Sequence, residues 1–575
     1  MKCSYCERAC EISENVTGYC RMYYTEQGTI LEKYPDAYLN IYPVSSESIP
    51  MLHFHPNGVF LLISTIGCNF ACEGCISEFQ TIRPGTLQEV LRQHTPEEIL
   101  AMALDGGCKG IVFCLNEPTV SFPTFLRVAQ AAKKTGLLVG CSTNGYMTRE
   151  TLQRLVPYLD FANIGLKGAT DARYRECGVS SSEPVYRNLQ DLHDSGVAVE
   201  VSIMYLDGRE SEVIGAAERV RAISAGIPFQ VMRFMATREE LATLAPTREQ
   251  GEEIYTILRR YLNHVYLFNT LATKGLDSRC PVCGETIIHR VFFGPMAARI
   301  LSCRPGGICS CGYRFPCRGE IEPVKEKELP VLGGYRSIMG VKFIRGIARA
   351  LGVDDEQTID HISNTVIANG YLGTLQERTA SIEGYLDIIR YVASLSGHDS
   401  QGRRVADYVQ EAVADVRARV PRGEKPRVLV VVGHPLYPMY APKPANLFVE
   451  LAGGRSLNRE LGFRESTDAE STVEEVNRLD PGVILVAGHS TDPIPEFCRT
   501  CDELGISCRA LSTGRVHWLN AAAGFLPMQM VLSLKETANI LYPEAFRYQL
   551  ADEEEKMIQE LSLHSGGEGD GHGIP

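Results

Sequence analysis

Six short apolar runs recur between residues 59 and 235, each followed by a helical pattern. This alternation constrains the fold more than any other feature of the chain. The runs are VFLLIST (59–65), GIVFCL (110–115), LVGCSTN (138–144), FANIGLK (161–167), AVEVSIMYL (198–206) and PFQVMRFM (228–235). They are rich in Val, Ile, Leu and Phe, as fully buried parallel strands are. Between them, Thr95-Pro96-Glu97-Glu98 predicts a helix start, with Thr95 as N-cap, Pro96 at the first position and Glu98 reaching back. Leu126, Ala129 and Lys133 mark a helix that stops at Gly136, which suits a left-handed C-cap. Leu152, Leu155, Val156 and Leu159 give the next apolar stripe. Six β-α repeats in series make a parallel sheet, open or curled into a partial barrel.

A chain of 575 residues is too long for one hydrophobic core, so several domains are expected. A Cys-rich head takes residues 1–50, the partial barrel 51–275, and a second Cys-rich, zinc-ribbon-like segment 276–320. The charged, proline-flanked IEPVKEKELP (321–330) opens a helical linker region, 321–420. It ends in an amphipathic helix carrying Val405, Tyr408, Val409, Ala412, Val413 and Val416. RVLVVVG (427–433) and GVILVAG (482–488), separated by a helix, predict a further lobe over 421–560, and the tail 561–575 is expected to be disordered. The fold class is α/β: a partial (β/α) barrel core with Cys-rich flanks, plus a C-terminal α/β three-layer lobe joined by helices.

Lys+Arg 57 against Asp+Glu 70 gives a net charge of -13, which argues against a nucleic-acid partner. MKCSYCERAC lacks the apolar core of a signal peptide, and no apolar run reaches the roughly 18 residues of a membrane span. The expected location is the cytoplasm, with no membrane partner. Twenty Cys in a reducing compartment read as metal or Fe–S sites rather than disulfides.

The cysteines fall in groups. Cys68, Cys72 and Cys75, at C-x3-C-x2-C spacing directly after the first strand, can hold three corners of a 4Fe–4S cubane and leave the fourth iron open. The loop then sits at the C-terminal edge of the sheet, where such folds put their active sites. Cys3, Cys6, Cys10 and Cys20 offer four thiolates to zinc or to an auxiliary Fe–S cluster. Cys280 and Cys283 open a knuckle that Cys309 and Cys311 close, favouring zinc, with Cys303, Cys317 and His289 as spare candidates. Cys498 and Cys501 fit one helix and Cys508 the next strand, a pattern of packing more than ligation.

The triad and its context resemble the radical SAM superfamily, and more closely the pyruvate formate-lyase-activating-enzyme-like, AmmeMemoRadiSam-type subgroup, over about residues 1–320. The resemblance rests on the head cysteines, the triad, Asn116-Glu117-Pro118 after strand two, Thr143-Asn144-Gly145 after strand three, Leu166-Lys167-Gly168 and the late Cys pair. It implies a 4Fe–4S cluster, S-adenosylmethionine (SAM), and an electron donor such as a ferredoxin or flavodoxin. It implies Asn116, Glu117, Thr143, Asn144, Lys167 and Arg233 as cofactor-binding residues, with Glu117 meeting the methionine ammonium and Lys167 or Arg233 its carboxylate. Two positions depart from the family: Gly74 stands where an aromatic residue often precedes the third Cys, and Gly165 where an Asp often precedes the Lys.

Residues 385–550 resemble part of the cobalamin- and siderophore-binding proteins of ABC importers. The matching features are the helix leading into KPRVLVVVG, the Gly453-Gly454 turn, VNRLDPGVILVAG and LYPEAF (541–546). That resemblance implies a corrinoid or another metal chelate as ligand. His517 and Trp518 follow a strand end and either line a pocket or pack. The expected activity is radical modification of a small-molecule or metallocofactor-type substrate. The alternatives are a glycyl-radical enzyme activase and a metal-chelate binding protein with an inactive radical domain.

Overall fold

The computed structural model describes the chain except for residues 15, 82–86, 237–238, 271–272, 325–333, 440–442, 462–470, 488–493, 520–526 and 562–575. Of the tail expected to be disordered, Leu561 closes a helix (Leu550–Leu561) and 562–575 lie outside the described residues, as does part of the 321–330 segment. The chain divides into two units, Met1–Ile338 and Met339–Pro575.

The first unit is organised by an eight-stranded sheet. Its strands are β1 (Asn40–Ser45), β2 (Val59–Ser64), β3 (Gly110–Phe113), β4 (Leu138–Thr143), β5 (Phe161–Leu166), β6 (Ala198–Tyr205), β7 (Phe229–Arg233) and β8 (Val265–Phe268). They lie side by side in that order, all neighbours parallel except β1 with β2. The six expected strands are β2 to β7. Two further strands extend the sheet. β8 is a four-residue strand beyond the last expected run, and β1 comes from the Cys-rich head and pairs antiparallel to β2. Among the described residues the edge strands β1 and β8 do not pair with each other, so the barrel stays open.

Strand alternation separates two apolar layers. Leu61, Ile63, Ile111, Phe113 and Val139 pack against helices, including α1 (Pro96–Asp105) and α2 (Phe122–Thr135). Phe60, Leu62, Val112 and Phe161 face the other way, against Val44, Ile49 and Phe54. Each such side chain contributes about 1.5–3 kcal/mol by leaving water. Both helices start and stop where the sequence says: Thr95 and Glu98 form a reciprocal capping box, and Gly136 takes φ +78 at the C-cap.

Inside the open barrel a polar network fixes the segment 50–53. Glu200 accepts from the backbone N–H of Leu52 (3.0 Å) and His53 (2.7 Å), and Gln230 Nε2 donates to it at 2.7 Å. Arg290, fully buried, pairs through Nε with Glu47 at 2.6 Å and donates from Nη1 to Ser278 Oγ at 2.6 Å. Arg290 lies on β10 (Thr286–Gly294), the middle strand of an antiparallel sheet with β9 (Ser278–Arg279) and β11 (Ala297–Cys303). This ion pair ties the second Cys-rich segment to the head.

The second unit holds helices and a four-stranded parallel sheet of β12 (Arg427–Val432), β13 (Arg455–Ser456), β14 (Val483–Ala487) and β15 (Val516–Trp518), in the order β13-β12-β14-β15. The amphipathic helix is α4 (Asp399–Arg419), with Val405, Val409, Val413 and Val416 buried. Two details differ from the sequence reading. Cys498 and Cys501 share α5 (Ile494–Leu504), but Cys508 is the N-cap of a short helix at Arg509–Ser512, not part of a strand. His517 and Trp518 lie within β15 rather than after a strand. The apolar Ile506 and Cys508 are buried, so hydrophobicity alone mimicked a strand there. No helix among the described residues is long and apolar enough to cross a membrane.

Candidate cluster and cofactor site

Parallel strands bring their C-terminal ends to one edge, and six candidate side chains arrive there with them. Directly after β2 the chain turns at Gly67 (φ +89) into the loop that carries Cys68, Cys72 and Cys75. The loop is pinned at both ends. Gly67 N–H donates to Gln80 O at 2.7 Å, and Ala71 N–H donates to the carbonyl of Cys177 at 3.0 Å. Phe70 is buried between the edges of Tyr146 and Tyr174.

The polar residues at the strand ends divide into two kinds. Asn116 Oδ1 accepts from Thr65 N (3.0 Å), and its Nδ2 donates to Thr65 Oγ1 (2.9 Å) and Gly67 O (3.2 Å). Its amide therefore holds the entry to the cysteine loop. Arg233 donates from Nε to Asn269 O (3.1 Å) and from Nη1 to Pro246 O (2.7 Å), fastening the loops beyond β7 and β8. The others stand at the cysteines. Glu117, buried, caps a short 3-10 turn opened by Pro118. Its Oε1 accepts from Thr119 N (3.0 Å) and Thr143 Oγ1 (2.8 Å), and its Oε2 from Asn144 N (2.8 Å). Asn144 Nδ2 donates to Asn69 Oδ1 (2.7 Å) and reaches Cys68 Sγ at 3.8 Å.

Lys167 is enclosed among Cys72, Cys177, Cys75 and Cys68. Burial pulls its pKa down, but the four thiols outweigh burial and the net shift is upward. A half-buried cation with this surrounding is what a cluster of thiolates needs to offset its negative charge. The Cys68 thiol is pushed up by burial, and the Cys72 thiol by its bond to Cys177 together with burial. Metal binding would therefore release protons from both.

Cys177 and Asn69 were not singled out from the sequence. Cys177 follows α3 (Asp171–Glu176) and lies about a hundred residues from the triad, so no spacing signal marks it. Gly74, at φ +71, explains the first departure from the family pattern. A Cβ there would stand 2.7 Å from the Phe234 ring, so an aromatic side chain arrives from beyond β7 instead of from position 74. Gly74→Ala is expected to destabilise the chain by roughly 1–3 kcal/mol, from left-handed strain plus overpacking. Urea unfolding checks this, and Phe234→Leu added to Gly74→Ala should recover part of the loss. An unchanged midpoint for Gly74→Ala would refute the close packing.

A second cysteine site lies on the zinc-ribbon-like segment. Cys280, Cys283, Cys309 and Cys311 place all four sulfurs within 4.8 Å of one another. Cys280 and Cys311 are 3.5 Å apart, and Cys283 and Cys309 are 3.3 Å apart. Two turns build it, closed by Gly284 N–H to Cys280 O (2.9 Å) and Gly312 N–H to Cys309 O (2.9 Å). His289 bonds through Nδ1 with Asp277 at 2.8 Å and is no member of the cage, and Cys303 and Cys317 stand outside it.

The fold and this edge define the domain. A family model described as the Radical SAM superfamily matches residues 62–218, so this part of the chain is a radical SAM domain, the domain of SAM-cleaving enzymes. The cofactors of that domain are a 4Fe–4S cluster and SAM. The residues fit the cluster: three thiols share one loop without closing to the spacing of a single ion, and a half-buried cation stands near them. Among proteins similar to this chain, the uncharacterized protein MJ0808 of Methanocaldococcus jannaschii is 27% identical over 303 residues, 51% of this chain and 88% of that protein. The isethionate sulfite-lyase activating enzyme of Nitratidesulfovibrio vulgaris is 24% identical over 175 residues, 29% of this chain and 55% of that enzyme. A periplasmic solute binding protein from Veillonella parvula, in a solved structure, is 17% identical with a TM-score of 0.28, covering 32% of this chain and 58% of that one. The chain thus spans just over half the length of the last two proteins.

Proposed function

We propose that the chain cleaves SAM reductively and abstracts a hydrogen atom from a small-molecule or metallocofactor-type substrate. The observation that carries the reading is the gathering of Lys167 and Asn144 around the three loop thiols, at the same sheet edge as the fixed carboxylate of Glu117. When bound, the cluster and SAM supply an electron and a carbon-centred radical. The chain's own residues do the rest. Cys68, Cys72 and Cys75 ligate the cluster. Glu117, held by Thr119, Thr143 and Asn144, presents a carboxylate of fixed orientation to the methionine ammonium. Lys167 offsets the charge of the thiolates and meets the methionine carboxylate. Asn116 and Arg233 act by positioning, because their polar atoms bond backbone at the loop entrances.

The four-sulfur cage supports a structural zinc ion. Sulfurs 2.3 Å from one ion in a tetrahedron stand about 3.8 Å apart, close to the spacings seen here. With all four positions taken by protein, such an ion binds no substrate. A ferredoxin or flavodoxin serves as electron donor, and the second unit is the candidate seat for a corrinoid or other metal chelate.

A protein glycine is the second reading for the substrate, favoured by the presence of an activating enzyme, that of isethionate sulfite-lyase, among the similar proteins. Anaerobic reconstitution with iron and sulfide, reduction with dithionite and addition of SAM should release 5′-deoxyadenosine and methionine. Deuterium passing from a labelled small molecule into 5′-deoxyadenosine supports the first reading. A glycyl-radical EPR doublet on an added protein supports the second. A spectroscopically intact cluster that releases no 5′-deoxyadenosine would sink both and leave a metal-chelate binding protein.

A further inference from the structure

The four cysteines of the head surround a void of their own, beside the cluster loop but separate from it. Cys3, Cys6, Cys10 and Cys20 line it together with Asn69 and Thr119, and all four are free thiols. Two observations point to a bound group. The backbone N–H of Tyr19 donates to Cys10 Sγ at 3.4 Å. Such donors stabilise ligating thiolates. Asn69 is also 1% exposed, its Nδ2 has no hydrogen-bond partner, and the residue lies on the wall of the void.

The spacing of the sulfurs selects the group. A single tetrahedral ion needs its four sulfurs about 3.8 Å apart and leaves no room among them. The ribbon cysteines meet that requirement. Among the described residues no three of the head sulfurs close to within 4.8 Å, and the space they line admits a water-sized sphere. The radical SAM triad behaves the same way, failing the single-ion spacing although its domain binds a cubane. A cubane puts each thiolate on a different iron and so spreads the ligands apart.

We propose that Cys3, Cys6, Cys10 and Cys20 ligate a second 4Fe–4S cluster, closed because each iron has a cysteine. It therefore cannot bind SAM. Its wall is shared with the radical SAM site. Asn69 follows Cys68 in the chain and accepts from Asn144, while Thr119 O accepts from Tyr23 (2.8 Å) and its hydroxyl donates to Glu117. The head thus places a one-electron centre against the triad loop.

The test uses the full chain with Cys68, Cys72 and Cys75 all replaced by alanine, reconstituted anaerobically. About four iron and four sulfide should remain per chain, with a reduced-cluster EPR signal unchanged by SAM. Cys6→Ser/Cys20→Ser with the triad intact should lose that share of the iron and keep a cluster whose signal shifts with SAM. This second variant guards against misfolding of the first. Both chains should hold about one zinc, in the ribbon. A triad-free chain with no iron and about two zinc would overturn the proposal in favour of a zinc head. Four head thiols that alkylate freely in the reconstituted triad-free protein would overturn it as well.

Discussion

Cys72→Ala is expected to reduce 5′-deoxyadenosine release below about a thousandth of the wild-type rate, because two thiolates cannot retain the cubane whose electron starts the chemistry. Iron bound at the triad should fall with it. The neighbouring Cys177 provides the control. Its sulfur bonds Cys72, and its carbonyl accepts from Ala71. Cys177→Ala should therefore keep the triad iron and alter only the protonation and packing around Cys72. If Cys72→Ala retained activity and Cys72→Ala/Cys177→Ala lost it, Cys177 would have served as the replacement ligand and the triad assignment would be incomplete. If both variants kept wild-type activity, the assignment would be wrong.

The second large effect concerns stability. Arg290→Met should destabilise the first unit by about 3–5 kcal/mol, the usual result of leaving one member of a buried ion pair uncompensated. Arg290 and Glu47 are 0% and 1% exposed, so water cannot take over the role of the lost partner. Arg290 also donates to Ser278 Oγ and to Leu52 O (3.3 Å), so the loss extends to the junction between the ribbon and the barrel interior. Urea unfolding of Arg290→Met against Glu47→Leu/Arg290→Met separates the causes. The double variant removes both charges and should recover much of the loss, since an apolar pair of similar volume is often neutral. A single variant within 1 kcal/mol of the parent would mean that the charge is hydrated on some route the native structure does not show.

These two sites differ in how legible they were beforehand. The cluster triad was readable because its chemistry is local: three thiols on eight consecutive residues, placed after an apolar run. The ion pair was not, since Glu47 and Arg290 are 243 residues apart and either alone looks like a solvated charge. The same distinction runs through the site. Glu117, Asn144 and Lys167 come to the cysteines because they end parallel strands, and parallel strands end on one side. Asn116 and Arg233 end strands too, but their side chains turn to backbone carbonyls and amides. Strand position fixes where a Cα lies and leaves the rotamer to its neighbours. Cys177 reached the triad through the end of a helix, a route with no periodic trace.

The sheet tells a similar story. β8 and β1 lie outside the six runs read from the sequence: β8 is a four-residue strand beyond the last of them, and β1 sits inside the Cys-rich head and contains Pro43. Their pairing depends on partners already in place. In the second unit the buried Cys508 looked like a strand residue, while the backbone used it to start a helix.

The sequence by itself determined the elements whose forces act over a few residues. These are the capped helices at Thr95 and Gly136, the buried strand runs, the cluster motif and the ribbon knuckles. Tertiary structure alone decided what depends on distances between remote residues. It set which thiols stand close enough for one ion and which stand apart around a void, where Phe234 fills the space that Gly74 leaves, and which charges meet without water. Covalent spacing limits local geometry tightly, but it says nothing about a contact until packing has closed the chain around it.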